Sequence, residues 1–189
     1  MSLLNKSIVP PLRLTFIMWA VFVFEYYSNI ELAWLGVMPR TLNGLIGVFT
    51  MPLIHGDFSH IASNTLPLII LGSTLYLFYD KVAPKVFLQC YFLTGILIWI
   101  VGRSYYHIGA SGLIYGIASF LIFFGFFRKD FKSIVISIFI IVLYGGMVYG
   151  LLPLDSRVSF EGHLMGAVAG FLSAFINRGR KPNQKTYIE

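Results

Sequence analysis

Long apolar blocks, at residues 12–27, 60–79, 84–101, 112–127, 133–151 and 162–176, constrain this chain more than any other feature of it. Their apolar residues run on without the alternation of a half-buried strand or the single stripe of a surface helix. Each block therefore reads as a helix apolar on every side. A bilayer core requires about 20 such residues per helix, fewer where the helix is shielded by protein. Over the whole chain 57% of residues are hydrophobic and 12% charged, about half the charge of an ordinary soluble domain. The expected fold is an all-α membrane protein, a bundle of six transmembrane helices that leaves little room for a separate soluble domain.

Charge then sets the topology. Six spans put both termini on one side. Lys6, Arg13, Lys81, Lys85, Arg128, Lys129, Lys132, Arg178, Arg180, Lys181 and Lys185 flank the termini and the second and fourth connections, leaving Arg40, Arg103 and Arg157 for the other side. Positive residues stay inside, so both termini are expected in the cytoplasm, and the first, third and fifth connections outside. The net charge of +6 is thus a topology signal, and no nucleic-acid partner is expected. The single cysteine, Cys90, excludes an intramolecular disulfide and any multi-cysteine metal site. Pro10-Pro11 precedes the first block and no small-residue cleavage pattern closes it, so the first span is expected to remain. Pro67 is expected to bend the second helix, and Gly145-Gly146 to weaken the fifth. Residues 28–59 are too polar and too punctuated by Gly and Pro to span. Trp34, Leu35, Val37, Leu45, Ile46 and Phe49 make them too apolar for a free loop. A long first connection, partly embedded in the membrane interface and carrying short amphipathic helices, is expected.

Polar groups in such a chain are costly and mark function. His55, His60, Ser111 and His163 come from three separated segments, yet the derived topology sets all four at the outer ends of their helices, with Asn64 four residues after His60. Ser111 lies between small residues in Gly109-Ala110-Ser111-Gly112, with Tyr115 one turn further on the same face. Taken alone, that segment reads as a packing serine, because Ser and Gly are common where membrane helices touch. The stripe Gly162, Gly166, Gly170 and Ala174 in the last block is a close-approach pattern. Packed against Gly112 and Gly116, it would bring His163 near Ser111, within reach for a base to take the serine proton. Tyr115 could support the imidazole. His60 and Asn64, at i and i+4, could donate to an oxyanion together with the Ser111 backbone N–H.

Glu161, two residues from His163, falls on another face, and Asp57 lies in the loop, so neither carboxylate is an obvious third member; a Ser-His dyad is the expected arrangement. Bland readings stand beside this one. His55 and His107 fit interfacial or backbone-bonded residues, and His60 with Asn64 fits a structural hydrogen-bonded pair. The chain lacks the His-Glu-x-x-His pattern and a suitably placed acid, so no metal or cofactor is expected. Paired intramembrane aspartates are absent from it as well.

These motifs, taken together, resemble those of the rhomboid intramembrane serine proteases. The Gly-x-Ser-Gly nucleophile motif matches Gly109-Ala110-Ser111-Gly112, with the following tyrosine at Tyr115. The His-x-x-Gly-x-x-x-Gly motif matches His163, Gly166 and Gly170, and the second-span pattern matches His55, His60 and Asn64. The resemblance implies a six-helix protease domain over residues 12–177, between a short cytoplasmic N-terminus (1–11) and a basic cytoplasmic tail (178–189). It implies Ser111 as nucleophile, His163 as general base and then acid, and an oxyanion hole of His60, Asn64 and the Ser111 N–H. Tyr115 would pack on His163, and His55 would support the first connection. Implied too are transmembrane protein substrates cleaved near the outer face, lateral access near the fifth span, and residence in a bacterial inner membrane.

Two departures stand out. The family's Trp-Arg pair in the first connection should fall near Ile46-Gly47 and is missing, and a glutamate late in the second span is replaced by Tyr76. They leave the loop's anchoring open. The rival readings are a catalytically inert rhomboid-like protein that binds or retains transmembrane clients, and a small channel or transporter. The first typically lacks the serine or histidine. The second would need polar residues through the full membrane depth, where this chain offers Gln89, Thr94 and a few hydroxyls.

Overall fold

A helix that touches protein on all sides must sit at the centre of a membrane bundle, and one helix of this chain does. In the computed structural model, α5 (Ser111–Arg128) is buried over 61% of its length, against 33% or less for the other long apolar helices. Around it stand α1 (Leu3–Ser28), α3 (Phe58–Phe78), α4 (Ala83–Val101), α6 (Phe131–Tyr144) and α7 (Phe160–Asn177). A short α2 (Gly47–Thr50) lies in the first connection. The structure describes residues 3–154 and 159–179. Arg157 and most of the basic tail expected at 178–189 lie outside the described residues.

α5 packs on α7, α6, α4 and α3, while α1 reaches the bundle through α3. The core follows that arrangement: Leu113, Ile117, Phe120, Leu121 and Phe124 of α5 are buried with Ile61, Leu68, Leu71 and Leu75 of α3. Lipid-facing positions stay apolar, such as Val142, Phe131 and Phe16.

Among the described residues, five helices are long and apolar enough to cross a membrane: α1, α3, α4, α5, and α6 with its continuation to Leu151. The chain is thus an all-α, multi-pass membrane bundle with a helical connection after its first span. α7 has 18 residues, but Glu161, His163 and Asn177 interrupt its apolar run, so hydropathy alone does not single it out. Those polar groups are spent inside the bundle. Glu161 pairs with Arg103, and Asn177 Nδ2 donates to Gln89 Oε1 of α4 at 3.0 Å.

Backbone contact defines the centre. A methyl group at Gly166 would overlap the Gly112 carbonyl, and one at Gly170 would overlap the Gly116 carbonyl. At Gly112 it would stand 3.0 Å from the Gly162 carbonyl and 2.6 Å from Thr94 Cγ2. Two pairs of glycines, one helical turn apart, therefore set the register of α5 against α7.

Other boundaries depart from expectation for physical reasons. α1 begins at Leu3, so Pro10 and Pro11 lie inside it instead of ahead of it. They withdraw two amide donors, and Pro11 packs against Gly72 of α3, where a methyl would meet Pro11 Cβ at 2.7 Å. α3 runs unbroken past Pro67. α6 stops at Tyr144, and Gly145–Leu151 continues as a 3-10 helix, the weak point expected of the glycine pair.

The first connection is indeed helical, with turns at Ala33–Leu35 and a segment Asn43–Leu53 that includes α2. Its anchor is Arg40, whose Nη1 donates to the Gly102 and Ile100 carbonyls at 2.8 and 3.3 Å and whose Nη2 donates to Ser104 Oγ at 3.1 Å. A cation on the last carbonyls of α4 also complements that helix's dipole. Trp99 Nε1 donates to the Thr41 carbonyl at 2.8 Å, and Val37 and His107 exchange backbone hydrogen bonds at 2.9 Å each. The missing Trp-Arg pair is thus answered by a Trp and an Arg from different elements.

Gly170→Ala is expected to lower stability by about 1–3 kcal/mol, the usual cost of overpacking, in a detergent unfolding titration. Gly146→Ala, which meets nothing within 4 Å, should unfold with the unsubstituted protein. Equal midpoints for all three would contradict backbone contact between α5 and α7.

Candidate active site

Caps place the first residues of the site. Asp57 caps α3 by accepting the His60 N–H at 2.8 Å, which sets His60 in the first turn. Ser159 caps α7 by accepting the Gly162 N–H at 3.1 Å, and the His163 N–H follows on the Ser159 carbonyl at 3.3 Å. α5 differs: Ala110 supplies no side-chain cap, and among the described residues the first amides of the helix, Ser111's included, meet no side-chain acceptor.

Gly109, at φ +104°, turns the chain into α5 in a conformation open to glycine. Space enforces the same choice, since a methyl there would lie 2.5 Å from His60 Nε2. His60 therefore faces the backbone just ahead of Ser111. His55 sits against His60 with ring centroids 4.9 Å apart, and its Nε2 accepts the Ala110 N–H at 3.4 Å. Asn64 is buried and donates one N–H to the His60 carbonyl at 3.0 Å, which leaves its second N–H uncommitted by that bond.

Across the glycine contact, His163 stacks on Tyr115 with centroids 4.2 Å apart and planes within 7°. Tyr115 Oη donates to the Met147 carbonyl at 2.8 Å, and His163 Nδ1 lies 2.8 Å from the Gly150 carbonyl. Ser111, partly exposed, is one turn before Tyr115 on α5. Among the described residues its Oγ has no hydrogen-bond partner, His163 included. The structure brings His55 and His60 together beside the start of α5, with Asn64 one turn further along α3 from His60, and His163 together with Tyr115 beyond the glycine contact.

Glu161 lies on another face of α7 from His163, as expected. It makes a bidentate pair with Arg103, Nη2 to Oε2 at 3.0 Å, and accepts from Tyr105 Oη at 3.1 Å. His107 joins that cluster, with Nδ1 2.6 Å from Ser159 Oγ and Nε2 3.0 Å from the Arg103 carbonyl. The connection before α5 thereby grips the start of α7, so the structural reading of His107 holds. Sequence reasoning passed over this cluster because its members come from two distant segments. It also passed over Met147 and Gly150, which act through backbone carbonyls and carry no side-chain signal. Among the described residues no group of His, Cys, Asp and Glu could hold a metal ion.

The Rhomboid domain family matches residues 42–180, and the chain belongs to that family. Among similar proteins are uncharacterized proteins of Mycobacterium tuberculosis and Mycobacterium bovis, each 34% identical over 174 residues, covering 86% of this chain and 72% of the relative. YdcA of Bacillus subtilis, named as a candidate rhomboid protease, is 29% identical over 135 residues, covering 68% of this chain and 65% of that protein.

Burial, and then the neighbouring His60, lower the pKa of His55 from 6.5 to about 4. The unfolded chain then binds more protons than the folded one between those values, so stability rises with pH across that window. The contribution of His55 is complete above pH 6.5 and is lost as pH falls towards 4. His55→Gln should flatten the acid side of a stability-against-pH curve. An unchanged slope would show that His55 does not titrate in this way.

Proposed function

We propose that this protein is an intramembrane serine protease that cleaves transmembrane protein substrates near the outer membrane face. Ser111 is the nucleophile and His163 the general base. The observation that carries the reading is the flat stack of His163 on Tyr115, at 4.2 Å, held by a glycine contact that leaves Ser111 one turn away on the same helix. A packing serine requires no histidine ring fixed across the helix contact, and a nucleophile does. Family membership and the likeness to YdcA support the same reading.

In this mechanism His163 takes the Ser111 proton as Oγ attacks the scissile carbonyl. The oxyanion meets the Ser111 N–H at the uncapped start of α5, with His60 and the free N–H of Asn64 as further donors. His163 returns the proton to the leaving amine, and water then hydrolyses the acyl-enzyme. The Ser111–His163 hydrogen bond forms when substrate closes the site, as catalytic hydrogen bonds often tighten only in the complex. Gly109, Gly112, Gly166 and Gly170 provide the close approaches, and His55 steadies His60. α7 is the sixth span, its polar residues sheltered by α4 and α5. Both termini are cytoplasmic, and the protein is embedded in a bacterial inner membrane. The basic residues Lys81, Lys85, Arg128, Lys129 and Lys132, all at connections on the side away from Ser111, support that orientation.

Purified protein is expected to label with a fluorophosphonate probe and to cleave single-span substrates. Ser111→Ala and His163→Ala should each lower cleavage by roughly 10³-fold or more. Labelling that survives Ser111→Ala, or equal cleavage by all three proteins, would overturn the assignment. A protein that binds such substrates without cleaving them would be an inert client-binding relative. His60→Ala is expected to cost on the order of 10²-fold in kcat with KM nearly unchanged, as for one oxyanion donor. A change in KM alone would move His60 out of the oxyanion hole.

A further inference from the structure

We infer that the backbone carbonyl of Gly150 is the positioning group of this site, holding His163 in the tautomer that acts as base. The inference rests on the reading of Ser111 as nucleophile for its catalytic consequence, but not for its geometry. A neutral imidazole carries one proton, and a carbonyl can only accept. With His163 Nδ1 2.8 Å from the Gly150 oxygen, that proton is on Nδ1, and the lone pair is on Nε2.

The covalent structure explains why this carbonyl is available. Gly150 lies near the end of the 3-10 helix Gly145–Leu151, where its oxygen would ordinarily accept from the residue three further on. That residue is Pro153, which has no N–H. The neighbouring donors are committed elsewhere: Leu152 N–H to the Tyr149 carbonyl at 3.2 Å, and Leu154 N–H to the Leu152 carbonyl at 2.8 Å. The Gly150 oxygen is left to the histidine.

Close approach explains the glycine. A methyl at position 150 would stand 3.0 Å from His163 Nδ1 and overlap Tyr115 Oη. The same turn holds the other ring of the stack, since Tyr115 Oη donates to the Met147 carbonyl at 2.8 Å. One short strap thus orients both rings.

The role is that of the third member in a Ser-His-acid triad, which fixes tautomer and ring orientation. In the attack step the Ser111 Oγ–C bond forms and the carbonyl π pair moves to the oxyanion. The hydroxyl proton goes to Nε2 while the Nδ1 proton stays on Nδ1, still hydrogen-bonded to the Gly150 carbonyl. The Nε2 proton then goes to the amide nitrogen as the C–N bond breaks. Being neutral, the carbonyl orients the ring without accepting its proton.

Nitrogen-15 spectra of histidine-labelled full-length protein in nanodiscs test the geometry without any need for catalysis. His163, assigned with a His163→Asn sample, is expected as the Nδ1–H tautomer at neutral pH. His107 is the internal reference with the opposite tautomer, because its Nε2 faces the Arg103 carbonyl. An Nε2–H form or a tautomer mixture at His163 overturns the inference. The catalytic consequence is tested by replacing Leu151 with its α-hydroxy counterpart, which turns the Gly150 carbonyl into a weaker ester acceptor and leaves every side chain in place. Replacing Gly150 by glycolate removes a neighbouring N–H but keeps that carbonyl an amide, and serves as control. The first change should lower kcat roughly threefold to tenfold at unchanged KM, the size of one neutral hydrogen bond. The control should stay near the unsubstituted rate, and equal losses in both would overturn the positioning role. Absence of labelling and cleavage in the unsubstituted protein would instead sink the protease reading, with the tautomer result still deciding the geometry.

Discussion

The backbone contact between α5 and α7 is the constraint on which the rest of this structure depends. In lipid no hydrophobic force drives two apolar helices together, so close packing and specific polar contacts must do it. Gly112 and Gly116 meet Gly166 and Gly170 so closely that a single methyl would overlap a carbonyl of the facing helix. Such a contact tolerates no sliding, and it sets His163 against Tyr115. Ser119 Oγ adds a hydrogen bond to the Ala167 carbonyl at 2.7 Å, further along the same seam.

Around that seam, polar groups divide into those that hold and those that wait. Arg40, Arg103, Glu161, His107 and Ser159 satisfy one another or the backbone, and they bind the first and third connections to the helix ends. Asp57 and Ser159 cap the two helices that carry His60 and His163. Ser111 Oγ, by contrast, has no partner among the described residues, and its helix starts without a cap. A group with spare capacity amid satisfied neighbours is what a reacting site requires, because hydrogen bonds that strengthen only in the transition state are those that accelerate a reaction.

Much of this was legible beforehand. The apolar blocks locate α3, α4 and α5 to within a residue or two, because a helix in lipid has to be apolar for its whole length. The stripe Gly162-Gly166-Gly170 announces a close approach, and its partner Gly112-Gly116 is equally visible. Less legible was the start of α1, since Pro10 and Pro11 suggest a beginning and instead sit within a helix whose neighbour offers Gly72 as space. α7 was read from the apolar block 162–176, although its polar residues dilute the hydropathy that identifies the other spans. Thr41 with Trp99, Arg103 with Glu161, and the Gly150 carbonyl with His163 could not be read at all. The first two pairs join residues far apart in the chain, and the last uses a backbone atom common to all twenty residue types.

The sequence by itself determined the class of fold, the order of its helices and which side chains are chemically equipped. Composition and spacing are local properties, and a bilayer turns them directly into helices. Tertiary structure alone decided which face of each histidine meets which acceptor. That choice depends on where the strap from Gly145 to Leu151 crosses His163, and so on packing between elements that share no local signal. Ser111 and His163 were candidates by residue type; the glycine contact and the Gly150 carbonyl gave the His163 ring its defined orientation.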